Sequence, residues 1–118
     1  MHTIIPGMLA HNGQVTMPFG VMGGAYQPNG HARLLSNMLD FGLDIQTSVD
    51  APRSFFDNGV LKIERGYAPE VHQSLAKMGH KIEIPEGPIG GGQAIFIGDN
   101  GILTGASDPR KDGCALGY

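Results

Sequence analysis

The chain has 118 residues, 41% of them apolar, with 19 glycines and 8 prolines, 8 basic against 11 acidic side chains, and a net charge of −3. That length suits one domain or a piece of a larger one, and the glycines punctuate apolar segments where a disordered tract would string them together. The scattered cations exclude a nucleic-acid partner, the single Cys114 excludes an internal disulfide, and no run reaches the about 20 apolar residues of a membrane span.

The chain opens on two apolar runs, 3–9 and 15–22, around His11-Asn12-Gly13-Gln14. Asn-Gly between such runs predicts a β-hairpin, because a type I′ turn needs positive φ at both central residues. A helix is expected over 29–41, with Leu34, Leu35, Met38, Leu39 and Phe41 on its apolar face and Gly42 just beyond its end. Asp44 is placed to N-cap a short helix ending near Ala51, before Pro52. Asn58-Gly59 predicts a second hairpin, between 54–56 and 60–64. Pro69 fits the first turn of a third helix, with Val71, Leu75 and Met78 facing inward and Gly79 as its stop. The alternation in 80–85 reads as a strand, and Asn100-Gly101 predicts a third hairpin of the same kind, between 94–97 and 102–104.

The resulting order, β-β-α-α-β-β-α-β-β-β, has more hairpins than crossovers. It predicts an α+β fold in which helices cover a largely antiparallel sheet. Composition shows neither an internal repeat nor an interdomain linker. A strand that includes Thr3 would begin in mid-sheet, which marks the chain as a fragment or a processed subunit. Cys114 is expected to be a small core residue.

Three stretches carry a family resemblance: Thr3-Ile4-Ile5-Pro6 with Gly20-Val21-Met22-Gly23-Gly24; Gln27-Pro28-Asn29-Gly30-His31 running on to Leu39-Asp40-Phe41-Gly42-Leu43 and Asp50-Ala51-Pro52-Arg53; and the ending from Gly105 through Asp108-Pro109-Arg110-Lys111-Asp112-Gly113 to Tyr118. With Glu64-Arg65-Gly66 and Gly79-His80 they follow family order along nearly the whole chain, and the chain resembles the gamma-glutamyltransferase family, residues 1–118 matching a C-terminal portion of its small subunit. The resemblance implies part of the αββα sandwich of N-terminal-nucleophile hydrolases. It also implies a precursor that cleaves itself to expose a threonine nucleophile whose own amino group acts as base. That nucleophile has no counterpart here, since Thr3 matches an interior strand threonine. Catalytic residues carried over are Gly23 and Gly24, whose backbone N–H groups would form an oxyanion hole. Met22 stands where proline is usual and Ala25 where serine is usual. The Gln27–His31 stretch resembles the branch labelled gamma-glutamyltransferase-like or acylase-like, and with these departures the resemblance favours hydrolysis of a related amide over transpeptidation.

Arg53, Asp108 and Arg110 match family motifs and are expected to be structural, the arginines pairing with carboxylates such as Asp50, Asp108 or Asp112. None of His2, His11, His31, His72 and His80 lies three or four residues from another or from Cys114, so no metal site and no cofactor is expected. His31 is expected to pack and hydrogen-bond without acting as a base. The run Ile89-Gly90-Gly91-Gly92-Gln93 lacks the Gly-Lys-Ser/Thr ending of a phosphate loop and reads as a flexible surface loop near an active-site rim. Expected partners are a gamma-glutamyl or related amide substrate, the remainder of the same precursor and a possible homo-oligomer, with the cytoplasm slightly favoured as compartment. The competing reading is a non-catalytic assembly domain that self-associates through its sheet edge.

Overall fold

Two Asn-Gly pairs set the registers of two hairpins. In the computed structural model, which describes residues 5–118, Asn12 (φ 50°) and Gly13 (φ 78°) form the turn between β1 (Pro6–His11) and β2 (Gln14–Met22). Asn58 (φ 50°) and Gly59 (φ 80°) do the same between β3 (Ser54–Asp57) and β4 (Val60–Ile63). Both pairs have the left-handed conformation that a type I′ turn demands. Thr3 lies outside the described residues.

The elements follow the expected order. After β2 come a 3₁₀ turn (Gly24–Tyr26), α1 (Gln27–Leu39), α2 (Ile45–Asp50), β3, β4, α3 (Pro69–Lys77), β5 (Ile82–Glu83), β6 (Gly91–Ile97) and β7 (Leu103–Ser107). The strands form two sheets: a four-stranded antiparallel sheet ordered β1-β2-β6-β7, and a three-stranded sheet ordered β3-β4-β5 in which β5 runs parallel to β4. The chain divides accordingly into two compact units, residues 1–50 with 90–118, and residues 51–89. Composition carries no sign of that division.

In the first unit, α1 and α2 cover one face of the four-stranded sheet. Met17 and Phe19 of β2, Ala94 of β6 and Ala106 of β7 meet Leu34 of α1 and Ile45 and Val49 of α2, with Leu9, Leu35 and Met38 packed alongside. Full burial of the larger of these side chains is worth about 1.5–3 kcal/mol each. The buried stripe of α1 is Gln27, Gly30, Leu34 and Asn37, so the helix is turned from the expected face, and Leu39 and Phe41 are exposed. Asn37 is accommodated because its Nδ2 donates to the Ser48 carbonyl at 3.2 Å. Gly42 (φ 67°) ends α1 as expected, and Asp44 caps α2 through Thr47, whose N–H donates to Asp44 Oδ1 at 2.9 Å.

Three expectations fail here. The Asn100-Gly101 turn is not type I′: only Gly101 (φ 77°) is left-handed, and Asn100 Oδ1 instead accepts the Ile102 N–H at 3.0 Å. Cys114 is exposed, because the segment after β7 has no helix or strand and crosses the face of the sheet away from the helices. A Cβ on Gly91 would meet Lys111 Cε at 2.6 Å, one on Gly105 would meet Ala115 Cβ at 2.8 Å, and one on Gly113 would meet Ser107 Oγ at 2.6 Å. The glycine run is no free loop either: Gly91 and Gly92 are buried and open β6, paired with Met22 and Val21.

In the second unit, Ile63 is fully buried. The expected inward face of α3 does not exist among the described residues: Val71 and Met78 are exposed, Leu75 is half-buried, and no residue of the helix is buried. A sheet of strands only four, four and two residues long offers a nine-residue helix little surface to cover.

Candidate functional site

The turn after β2 is built around glycines for two different reasons. Gly23 has φ 133° and Gly24 φ 57°, both in the left-handed half of the backbone map that β-carbons disfavour. Behind the turn space is short: a Cβ on Gly23 would lie 2.9 Å from the Gly90 Cα, and Gly90 itself packs on the Met22 carbonyl and the buried Tyr26 ring. In front it is open. A Cβ on Gly24 would meet nothing within 4 Å, and both glycines are exposed. The Gly23 carbonyl accepts the Tyr26 N–H at 3.1 Å, which folds the chain into the 3₁₀ turn and directs it into α1. Exposed backbone ahead of a 13-residue helix, where the peptide dipoles leave partial positive charge, suits an anionic oxygen.

Gly30 brings α1 close to β2, since a Cβ there would fall 2.5 Å from Val21 Cγ1 and 2.7 Å from Tyr26 Cε1. The next residue, His31, accepts the Val21 N–H on Nε2 at 3.2 Å and stands edge-on to Phe19 with ring centroids 5.0 Å apart. Nε2 therefore carries a lone pair and the ring is neutral with its proton on Nδ1. Burial lowers the pKa of His31 in the same direction.

Asp108, with 0% exposure, anchors the strand beside this turn. Its Oδ2 accepts the Gly92 N–H at 2.7 Å, its Oδ1 accepts the Arg110 N–H at 2.9 Å and Arg110 Nη1 at 3.2 Å, and its own N–H donates to the Gly92 carbonyl at 3.1 Å. Arg110 also donates from Nη1 to the Val49 carbonyl at 3.3 Å and from Nη2 to the Asp50 carbonyl at 3.0 Å, the C-terminal end of α2. Gln46 adds a second tie: its side-chain amide accepts from Ser107 N–H at 3.1 Å and donates to Ser107 O at 3.0 Å.

Arg53 lies in the second unit. It is buried, donates from Nη1 to the Ile89 carbonyl at 2.9 Å, and accepts the Glu64 N–H on its own carbonyl at 2.9 Å. Glu64 Oε2 accepts the Arg53 N–H at 2.9 Å and Oε1 the Ile89 N–H at 3.0 Å, so one carboxylate and one guanidinium hold both polar atoms of Ile89. Sequence reasoning did not assign Glu64 or Gln46 a role; the only available signal was that Glu64 belongs to a family-like triplet. Among the described residues, no group of three or more His, Cys, Asp or Glu side chains could hold a metal ion, and no helix is long and apolar enough to cross a membrane.

The packing of helices on an antiparallel sheet matches part of the fold of N-terminal-nucleophile hydrolases, as solved structures show. The chain superposes on a cephalosporin acylase from Bacillus halodurans with a TM-score of 0.89 and 42% identity, covering 99% of this chain and 23% of that one. The sequence profile of gamma-glutamyltranspeptidase matches residues 1–118, and the chain belongs to that family. A glutathione hydrolase-like YwrD proenzyme of Bacillus subtilis is 30% identical over 98% of this chain and 24% of its own length. An oxamate amidohydrolase proenzyme of Klebsiella pneumoniae is 33% identical over 99% of this chain, again 24% of its own length. The chain thus spans about a quarter of the curated relatives it matches.

Proposed function

We propose that this chain is a C-terminal portion of the catalytic domain of an N-terminal-nucleophile amidohydrolase acting on gamma-glutamyl or related amides, and that Gly23 and Gly24 are its oxyanion hole. The reading rests on one observation above all: the Gly23-Gly24 turn is closed behind by Gly90 and Tyr26 and open in front. Family membership supports it, and the relatives' names point to amide chemistry: a glutathione hydrolase-like protein, an oxamate amidohydrolase, a cephalosporin acylase. In the complete protein a threonine from outside these residues attacks the substrate carbonyl. As that carbon becomes tetrahedral its oxygen takes up negative charge, which the N–H groups at Gly23 and Gly24 receive without reorganising. The amine leaves with a proton, and water releases the acyl group. Arg53, Asp108 and Arg110 serve structurally, Asp108 and Arg110 by fastening the strand that runs beside the turn.

Gly24→Val in the complete, processed enzyme tests this. A β-branched residue at φ 57° displaces the donors, so kcat falls on the order of 10²–10³-fold while KM stays near its original value. A variant that melts like wild type and keeps its kcat refutes the oxyanion assignment.

A further inference from the structure

The hydrogen bond between Val21 and His31 closes a loop of chain that contains both glycines. Among the described residues the β1–β2 ladder has its last pair at Pro6 and Gly20, and the next outward N–H of β2, that of Val21, passes to His31 Nε2 at 3.2 Å. On its other side β2 stays paired through Val21–Gly92 and Met22–Gly91. The strand entering the turn is therefore held by β6 on one edge and by a side chain of the following helix on the other.

We propose that His31 is a positioning residue for the Gly23-Gly24 site: by accepting the Val21 N–H it clasps the strand before the turn to the helix after it and fixes the direction of the glycine N–H groups. The proposal rests on the oxyanion reading given above. Three features make the clasp rigid. The ring is wedged edge-on against Phe19, with an interplanar angle of 62°. Gly30 allows α1 an approach to Val21 that no larger residue would permit. The bond spans ten residues, so its loss frees the whole segment and not merely one side chain. Since such a hole acts by being preorganised, a looser clasp costs rate in the transition state and leaves ground-state binding nearly unchanged. His31 touches no reacting atom, and with Nε2 engaged by a backbone donor it is not a base for the reaction.

The experiment has two arms. In the complete enzyme, labelled with ¹⁵N at valine and histidine, a scalar coupling between the Val21 amide nitrogen and His31 Nε2 reports the N–H···N bond directly; its absence overturns the proposal whatever the rate. In the complete enzyme, His31→Leu lowers kcat about tenfold or more, with KM changed less than about twofold, a smaller loss than displacing a donor outright. His31→Gln, whose carbonyl oxygen can accept the same N–H, restores most of the rate. Asp44→Ala, which removes the cap of α2, lowers the melting temperature with kcat intact and so controls for destabilisation. A His31→Leu enzyme that keeps its kcat while Gly24→Val loses it overturns the clasp alone. Normal kcat in Gly24→Val overturns the oxyanion reading and the clasp with it. A folded His31→Gln enzyme as slow as His31→Leu also overturns it, because the lost acceptor would then not be the cause.

Discussion

Asp108→Asn changes one atom of a side chain that has no freedom to adapt. Both carboxylate oxygens accept from buried or half-buried donors, Oδ2 from the Gly92 N–H and Oδ1 from the Arg110 N–H and Nη1. Whichever way the asparagine amide is turned, its NH₂ faces one of those N–H groups, donor against donor. One orphaned buried N–H costs about 1–3 kcal/mol, and loss of charge weakens the remaining bonds, which are worth about 1.5–3 kcal/mol each when one partner is ionised. The sum, about 3–5 kcal/mol, agrees with the cost of breaking a buried ion pair. For a chain of this size that corresponds to a fall in Tm of about 12–20 °C. The assay is a thermal melt followed by far-ultraviolet circular dichroism at neutral pH, with urea denaturation to check that the slope m is unchanged. A variant melting within about 2 °C of wild type refutes the argument, since Asp108 would then be a replaceable spacer.

Arg110→Ala leaves Asp108 its two backbone donors and should cost less, about 2–3 kcal/mol, and in the complete enzyme it should change Tm far more than KM. Normal melting with impaired substrate binding would contradict that. Combined with Asp108→Asn its effect should be clearly non-additive, because the two side chains are joined by the Arg110 Nη1 to Asp108 Oδ1 hydrogen bond. The pH dependence follows from His31, whose pKa is lowered by burial in the folded chain. Below its ordinary value of 6.5 the unfolded chain binds the extra proton and the folded chain does not. Stability is therefore complete above that pH and declines as the pH falls from there toward the depressed folded value. His31→Gln should flatten this part of the profile, and an unchanged profile would show that His31 titrates alike in both states.

What was legible in the sequence is what local chemistry decides. Asn12-Gly13 and Asn58-Gly59 specify their turns by themselves, Asp44 caps the helix three residues from its partner Thr47, and Gly42 stops α1 through its own φ. Asn100-Gly101 carries the same dipeptide and forms a different turn, because the Asn100 side chain takes the Ile102 N–H. Apolar spacing alone assigned α3 an inward face, and it misjudged which stripe of α1 is buried, since polar Gln27 and Asn37 are buried there and Leu39 is not. Long-range contacts join residues far apart in the sequence, Gln46 to Ser107 and Gly92 to Asp108 in the first unit and Arg53 to Ile89 in the second. No local pattern announces them. Gly23 and Gly24 stood out only through the family resemblance; from spacing alone they were two glycines before a helix.

Among the described residues β7 is an outermost strand of its sheet, and the amide of Gln46 acts on its outer side. Alternate residues of an outermost strand turn their N–H and C=O away from the sheet, where another chain can add itself by simple pairing. At Ser107 both groups are already taken by one glutamine side chain that imitates the missing strand. An incoming strand would have to dislodge an amide anchored on α2 before it could zip along this end of β7. A glutamine inside a six-residue helix thus ties the C-terminal end of β7 to α2 with the same pair of hydrogen bonds that a neighbouring strand would make.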